Sequence, residues 1–352
     1  MALTLTSLTD LASHGFDAII DVRSPAEYAE DHLPGAINLP VLDDEERARV
    51  GTIYKQQSPF LARKIGAALV ARNAARHLEG PLREMPGGWR PLIYCWRGGQ
   101  RSGSFATILA QIGWRVELVQ GGYKAWRRLV VEALETPPAA PVVVLDGNTG
   151  SAKTELLALL SERGVQAVDL EGLANHRGSL FGHRPGGQPS QKAFEGRVAM
   201  ALAALDPARP VLVEAESSRI GDLAMPKGLW AAMTTAPRLH IRAPLAARAA
   251  YLARAYRDLT DDPARLADVI DLLRPSHAAT VIETWQALAA SGQTEALAAD
   301  LMRRHYDPRY EKHRARYAGP ADPEIAAPDL SPEALPALAD RIAATLAALP
   351  RR

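Results

Sequence analysis

The chain has 352 residues, 47% hydrophobic and 23% charged, with 41 Lys and Arg against 40 Asp and Glu. That length suits two ordinary domains, and a net charge of +1 excludes a uniformly basic nucleic-acid coat while leaving room for a local patch. A single cysteine excludes an intramolecular disulfide and a cysteine-based zinc site. "MALTLTSLTDLASHGFDAII" lacks a basic start followed by an apolar core, and no apolar run is long enough for a bilayer. The expectation is a cytoplasmic protein without a membrane segment.

In chain order, "DAIIDV", "AINLP", "PLIYCW" and "VELVQG" read as short strands alternating with helices, the pattern of a largely parallel α/β domain over 1–135. The charged stretch from Asp43 to Arg76 reads as a helical insertion between two strands. "ETPPAAP" contains the linker, residues 136–140. "PVVVLDG", "VQAVDL", "PVLVEAE" and "RLHIRA" then read as strands of a second α/β domain over 141–320, nearly all helical from Leu245 to Tyr317. The last segment, 321–352, reads as a tail with a helix from Pro332 to Leu349, capped by Ser331 with proline at its first position.

Cys95 ends the strand "PLIYC" and is followed by "WRGGQRSGS". Strand ends and helix starts in open α/β sheets favour anions, and cations lower a thiol's pKa from about 8.5. Cys95 therefore reads as a nucleophile, with Arg97 and Arg101 holding an anionic substrate and Trp96, Gly98, Gly99 and Ser102 lining its pocket. "IIDVRSPAEYAEDHLPGAINLP", the cysteine loop and "VQGGYKAW" together resemble a rhodanese domain. That resemblance implies a persulfide-bearing role for Cys95 and a fold-holding role for Asp21, Arg23, Pro34 and Gly35. Five residues separate Cys95 from Arg101, where sulfurtransferases of this kind commonly have four. The longer loop resembles that of rhodanese-like dual-specificity phosphatases, so the pocket is expected to admit a tetrahedral phosphorus-containing anion as well as sulfur.

"LDGNTGSAKTELL" resembles a Walker A loop, with Ala152 where the pattern has its second glycine. Gly147, Asn148, Thr149, Gly150, Ser151, Ala152, Lys153 and Thr154 are the expected diphosphate cradle, with Lys153 as counter-charge and Thr154 reaching Mg2+. Alanine at 152 is harmless inside a helical turn but costs about 1–2 kcal/mol in a left-handed backbone. Glu214 and Glu216 follow a strand, as does Asp169; all three are acids expected near the metal, with Glu214 the Walker-B-like one. His176, Arg177, Ser179 and Arg184 form a basic loop suited to a second phosphate or an RNA backbone. Arg219 joins them as a tRNA or second-substrate candidate. "RRHYDPRYEKHRARY" mixes cations and tyrosines, and Arg303, Arg304, Tyr306, Arg309, Tyr310 and Lys312 are its expected RNA contacts. Arg63, Lys64, Arg72 and Arg76 of the insertion are a second RNA candidate.

Together "YCWRGGQRSGS", "GTIYKQQSPFLARKIGA", "GNTGSAKT", "DLEGLANHRGSLFG", "VEAESSRIG" and "HYDPRY" resemble the bacterial tRNA 2-selenouridine synthases from about residue 5 to residue 317. The fold class implied is α/β: an N-terminal rhodanese-like parallel-sheet domain, then a P-loop NTPase-like α/β domain with a helical extension. The resemblance implies replacement of the sulfur of wobble 2-thiouridine, in tRNAs for Lys, Glu and Gln, by selenium from selenophosphate. It also implies an S-geranyl intermediate made from geranyl diphosphate, and selenophosphate synthetase as a partner. A geranyl slot is expected among Tyr251, Leu252, Tyr256 and Trp285. Two other readings compete: a sulfurtransferase fused to an ATP-dependent kinase-like module, and a non-catalytic nucleotide-dependent tRNA-binding protein. Oligomeric state is not legible.

Overall fold

The computed structural model describes residues 2–12, 15–314 and 322–349. The chain divides into two compact units, residues 1–135 with 189–204, and residues 136–188 with 205–352. The sequence reading places 189–204 in the second domain; the helix Gln191–Ala203 packs instead within the first unit, where Phe194 and Val198 are fully buried.

The first unit is built on a parallel sheet of β1 (Ala2–Leu3), β2 (Ala18–Asp21), β3 (Ala36–Asn38), β4 (Pro91–Tyr94) and β5 (Glu117–Val119), ordered β1-β5-β4-β2-β3. β4 is buried along its whole length, as its uninterrupted apolar run requires in a sheet covered on both faces. The chain crosses the sheet between β3 and β4, so the carboxyl end of β4 lies where such sheets form sites. The insertion is two helices, Asp44–Gln56 and Pro59–Glu79. Asp43 and Glu46 form a capping box for the first, and Ser58 with Pro59 starts the second.

In the second unit the strands are β6 (Val142–Gly147), β7 (Gln166–Val168), β8 (Val211–Glu214), the hairpin β9 (Arg219–Ile220) and β10 (Leu223–Ala224), then β11 (Arg238–Arg242) and β12 (Glu324–Ala326). The main sheet is parallel and ordered β12-β11-β6-β8-β7, with fully buried β6 at its centre. β1, β12 and the hairpin escape the sequence reading, being too short to carry a period.

The final helix runs Leu335–Ala348, later than expected, with Ala334 at its cap. Ser331 does not cap it: Asp329 accepts from both the Ser331 amide and its hydroxyl at 2.8 Å, closing a turn ahead of the helix. Leu335, Leu338, Ile342 and Leu346 bury against Leu156, Leu157 and Leu160. The tail is thus part of the second unit's core.

Candidate functional site

In the first unit the loop after β4 folds around a sulfur. Two groups donate to Cys95 Sγ: Gly99 N at 3.3 Å and the Ser102 hydroxyl at 3.1 Å. Burial opposes the thiolate, but bonds from the Ser102 hydroxyl and from the Ser102 and Gly99 amides, with the charge of Arg101, outweigh it and hold the thiol below its ordinary pKa. The residue is only 3% exposed, so the sulfur sits at the base of the loop. The "VQGGYKAW" motif supports that loop from behind. Tyr123 N and Lys124 N bond the carbonyls of Cys95 and Trp96 at 2.9 and 3.0 Å. Gly122, at φ +57°, has no room for a Cβ, which would overlap the Cys95 carbonyl oxygen.

Arg101 is held by Glu27, with Nη1–Oε2 at 2.6 Å and Nη2–Oε1 at 3.3 Å. Burial pushes the Glu27 carboxyl up, but Arg101 outweighs it and keeps the carboxyl below its usual range. The guanidinium is therefore oriented and partly neutralised. Arg97 is exposed and has no ion pair among the described residues. Trp96 stacks on Tyr123, with centroids 5.2 Å apart. Gly98, at φ +67°, lies against the Val119 carbonyl. Arg23 is buried; it bonds Asp21 through Nε at 2.9 Å and Nη2 at 2.6 Å and lies 4.1 Å from the Tyr123 ring centroid. Tyr28 donates to the Ala36 carbonyl just after Gly35, whose φ is +73°. Asp21, Arg23 and Gly35 thus hold the frame; Glu27 and Tyr123 are functional neighbours the sequence reading missed.

In the second unit Gly147–Thr154 joins β6 to the helix Lys153–Glu162. Lys153 Nζ bonds the Gly147 carbonyl at 3.1 Å across the loop. Ala152 is 2% exposed and stands at φ +59°, ψ +25°, so the costly alternative for this alanine is the realised one. A Cβ at Gly150 would lie 2.9 Å from the Arg248 carbonyl and from Leu252, so glycine lets the helix Leu245–Ala255 close on the loop. Arg248 bonds Asp307 through both Nη atoms, at 2.9 and 2.8 Å, and reaches the Thr149 carbonyl at 3.1 Å. Asn148 bonds Asp307 and Arg314 at 3.1 and 2.6 Å.

Acids gather beside the loop. Glu214 is fully buried at the end of β8; one oxygen accepts from the Glu171 amide at 2.6 Å and the other has no hydrogen-bond partner. Burial first, then repulsion from Glu171, Glu216 and Asp169, raises its carboxyl well above the usual range. Burial and Glu171 likewise raise Glu216, against the pull of Lys153. Thr154 Oγ1 donates to Glu171 Oε2 at 2.9 Å. Asp169 caps the short helix Leu170–Leu173 through Gly172 N at 2.7 Å and lines the same cavity as Thr154 and Glu171. Glu171, two residues on, is the acid the sequence reading passed over. The fit to a hard divalent cation rests on the buried oxygen of Glu214 that has no partner, with Thr154 and Glu171 beside the loop. Among the described residues no three acids or histidines make a protein-only metal cage.

A cavity of about 430 Å³ lies over the loop, lined also by Glu171, Arg177, Ser179, Arg184, Tyr251 and Tyr310. Next to it is a small apolar cavity, lined by Phe181, Leu259, Leu266, Leu297, Leu301, Met302 and Tyr306. Thr149, Ser179, Leu252 and Tyr256 line both. Of the residues expected to form an apolar slot, Leu252 and Tyr256 line both cavities and Tyr251 only the one over the loop. Trp285 does not contribute: it is fully buried, donates to Asp300 at 2.9 Å and belongs to the helical core.

Arg177 bonds Asp258 with both Nη atoms and lies 4.6 Å from the Tyr256 centroid. His176 is 2% exposed and meets the His183 ring edge-on, a packing position rather than an open contact. Arg219 is exposed in the hairpin and bonds the Asp222 carbonyl. In the basic stretch, Arg303 and Arg304 are exposed and paired with Asp300. Arg309 turns back to His305, and Lys312 is exposed. Tyr310 faces inward, its ring centroid 5.8 Å from Lys153 Nζ, and Tyr306 faces the apolar cavity. The helix path explains this: Met302–Tyr306 is a π-helical segment, which shifts the register of the helix Asp307–Arg314 after it. The stretch's last three residues, 315–317, lie outside the described residues.

No helix among the described residues is long and apolar enough to cross a membrane. Residues 4–129 match the rhodanese-like domain family, and residues 140–271 the family described as the tRNA 2-selenouridine synthase AAA domain. The chain is 42% identical over 234 residues to a protein named tRNA 2-selenouridine synthase from Alcanivorax borkumensis, covering 65% of this chain and 64% of that protein. It is 40% identical over 260 residues to one from Aeromonas salmonicida, covering 72% and 68%. With one from Psychromonas ingrahamii it shares 36% over 253 residues, covering 71% and 67%. The matched region thus spans about two thirds of these relatives' length, and slightly less for the first. Two domain matches in this order, and relatives of this identity and coverage, establish that the chain belongs to the tRNA 2-selenouridine synthase family.

Proposed function

We propose that the protein is a tRNA-modifying transferase that converts wobble 2-thiouridine of tRNAs for Lys, Glu and Gln to 2-selenouridine. Selenophosphate supplies the selenium, and the reaction passes through S-geranyl-2-thiouridine made from geranyl diphosphate. The observation that carries this reading is the pair of adjoining cavities in the second unit, one over a phosphate loop and one apolar. Such a pair suits a ligand with a diphosphate head and a hydrocarbon tail.

Loop amides and Lys153 would bind the diphosphate, and Thr154 with Glu171 and Glu214 would hold Mg2+. The metal would supply charge stabilisation to the departing diphosphate. Transfer forms a bond between the C2 sulfur and the geranyl carbon as the carbon–oxygen bond to diphosphate breaks, and turns that sulfur into a better leaving group. The thiol of Cys95, lowered in pKa by its loop, is the candidate nucleophile: its thiolate would form a sulfur–phosphorus bond with selenophosphate as the phosphorus–selenium bond breaks, and the released selenide would displace geranylthiol from C2. Arg97 and Arg101 are the candidate anion contacts for selenophosphate.

The test is mass analysis of the wobble nucleoside after incubation with 2-thiouridine tRNA, geranyl diphosphate and selenophosphate. Cys95→Ala should spare geranylation and abolish selenium entry; Lys153→Ala should impair geranylation. Loss of both activities in each folded variant would refute the division of labour. ATP hydrolysis without any tRNA product would favour the kinase-like alternative.

A further inference from the structure

The helical insertion of the first unit carries features that neither the thiol nor the phosphate loop explains. From Arg49 to His77 its only full charges are cations: Arg49, Lys55, Arg63, Lys64, Arg72 and Arg76. All six are exposed and none has an ion pair among the described residues. In a chain of net charge +1 this is a local field of one sign. Two aromatic rings stand out into solvent within it, Tyr54 at 56% and Phe60 at 70% exposure. Neither belongs to a core cluster of the unit.

The placement is directional. Arg47, Gly51, Tyr54 and Lys55 recur at three- and four-residue spacing on the helix Asp44–Gln56, which puts them on one face. That face lines an open groove of about 660 Å³ whose far wall includes Arg101, the residue that closes the cysteine loop. A Cβ at Gly51 would meet nothing within 4 Å, so the glycine keeps the groove floor clear without being forced by packing. Phe60 opens the next helix, and Arg63 and Lys64 follow it on the same face three and four residues on.

Cations that follow a backbone, interleaved with exposed rings that can take a base face, are the recognition chemistry of unpaired nucleic acid. We infer that this insertion is a docking platform for a single-stranded RNA loop, with Tyr54 and Phe60 stacking unpaired bases and Lys55, Arg63 and Lys64 contacting phosphates. The groove then leads the loop toward Arg101 and the cysteine. This rests on the tRNA reading and assigns it a surface; duplex RNA, whose bases already stack on one another, gains nothing from the rings.

The experiment measures binding of the full chain to two labelled RNAs by fluorescence anisotropy: a hairpin with an unpaired U-rich loop, and a fully paired duplex of equal length. Circular dichroism checks folding of each variant. Tyr54→Ala and Phe60→Ala should each weaken hairpin binding about tenfold, with little change for the duplex. Tyr54→Phe, which keeps the ring, should bind as wild type. Lys64→Gln should flatten the log–log salt slope by about 0.7. A folded double alanine variant that binds the hairpin as tightly as wild type would overturn the platform and leave the tRNA reading standing. The same holds if its only change is in oligomeric state, which would make the rings a protein interface, or if hairpin and duplex binding fall equally. Absence of hairpin binding by the wild-type chain would overturn both.

Discussion

Thr154 Oγ1 donates to Glu171 Oε2 at 2.9 Å, tying the start of the phosphate-loop helix to an acid that follows β7. Glu171 is also a charge that Glu214 and Glu216 both feel, and both carboxyls are raised. The loop is thus bordered by acids that repel one another.

Removing one of those charges should relieve the repulsion. Glu171→Gln is expected to raise the unfolding midpoint of the Mg2+-free protein. The midpoint gain on adding Mg2+ and diphosphate should shrink at the same time. In wild type a ligand at a hundred times its Kd adds about 2.7 kcal/mol. Thr154→Ala should lose most of that gain without the first effect. Differential scanning calorimetry with and without the ligands checks both, and equal gains in all three proteins would contradict the assignment.

Ala152 sits at φ +59°, where an L side chain is strained. Ala152→Gly removes that strain, about 1–2 kcal/mol, against a glycine entropy cost of about 0.5–1 kcal/mol. The net expectation is a stabilisation of about 0–1.5 kcal/mol, read as a higher urea midpoint with an unchanged slope. A lower midpoint would mean the alanine methyl contributes more to its buried surroundings than its backbone costs.

The thiol prediction concerns pH. Burial raises the Cys95 pKa, but Ser102, Gly99 and Arg101 together bring it below the ordinary thiol value. The thiolate fraction, and with it the iodoacetamide alkylation rate, should therefore reach half-maximum at a lower pH than for a free thiol. Ser102→Ala removes the 3.1 Å bond and should move that midpoint upward. A midpoint unmoved by the substitution would show that the hydroxyl does not stabilise the anion.

Asp21 and Arg23 form a buried pair, both at most 1% exposed. Asp21→Ala leaves the guanidinium without its partner and is expected to destabilise the first unit by about 3–5 kcal/mol. Chemical denaturation measures it. A loss below about 1 kcal/mol would mean that the Asp31 carbonyl and the Tyr123 ring suffice to hold Arg23.

The sequence alone determined which residues end strands. Cys95 and Gly147–Thr154 were legible because a buried apolar run followed by a glycine-rich turn has few other foldings in a parallel sheet. Tertiary structure decided what those motifs touch. Glu27 reaches Arg101 across 74 residues, and Glu171 reaches Thr154 across 17, through sheet crossovers that no local period encodes. Tyr310 turns toward Lys153 and Trp285 into a core because the helices carrying them pack on particular faces. Local sequence fixes backbone geometry over a few residues, whereas side-chain partners depend on which distant elements share a face.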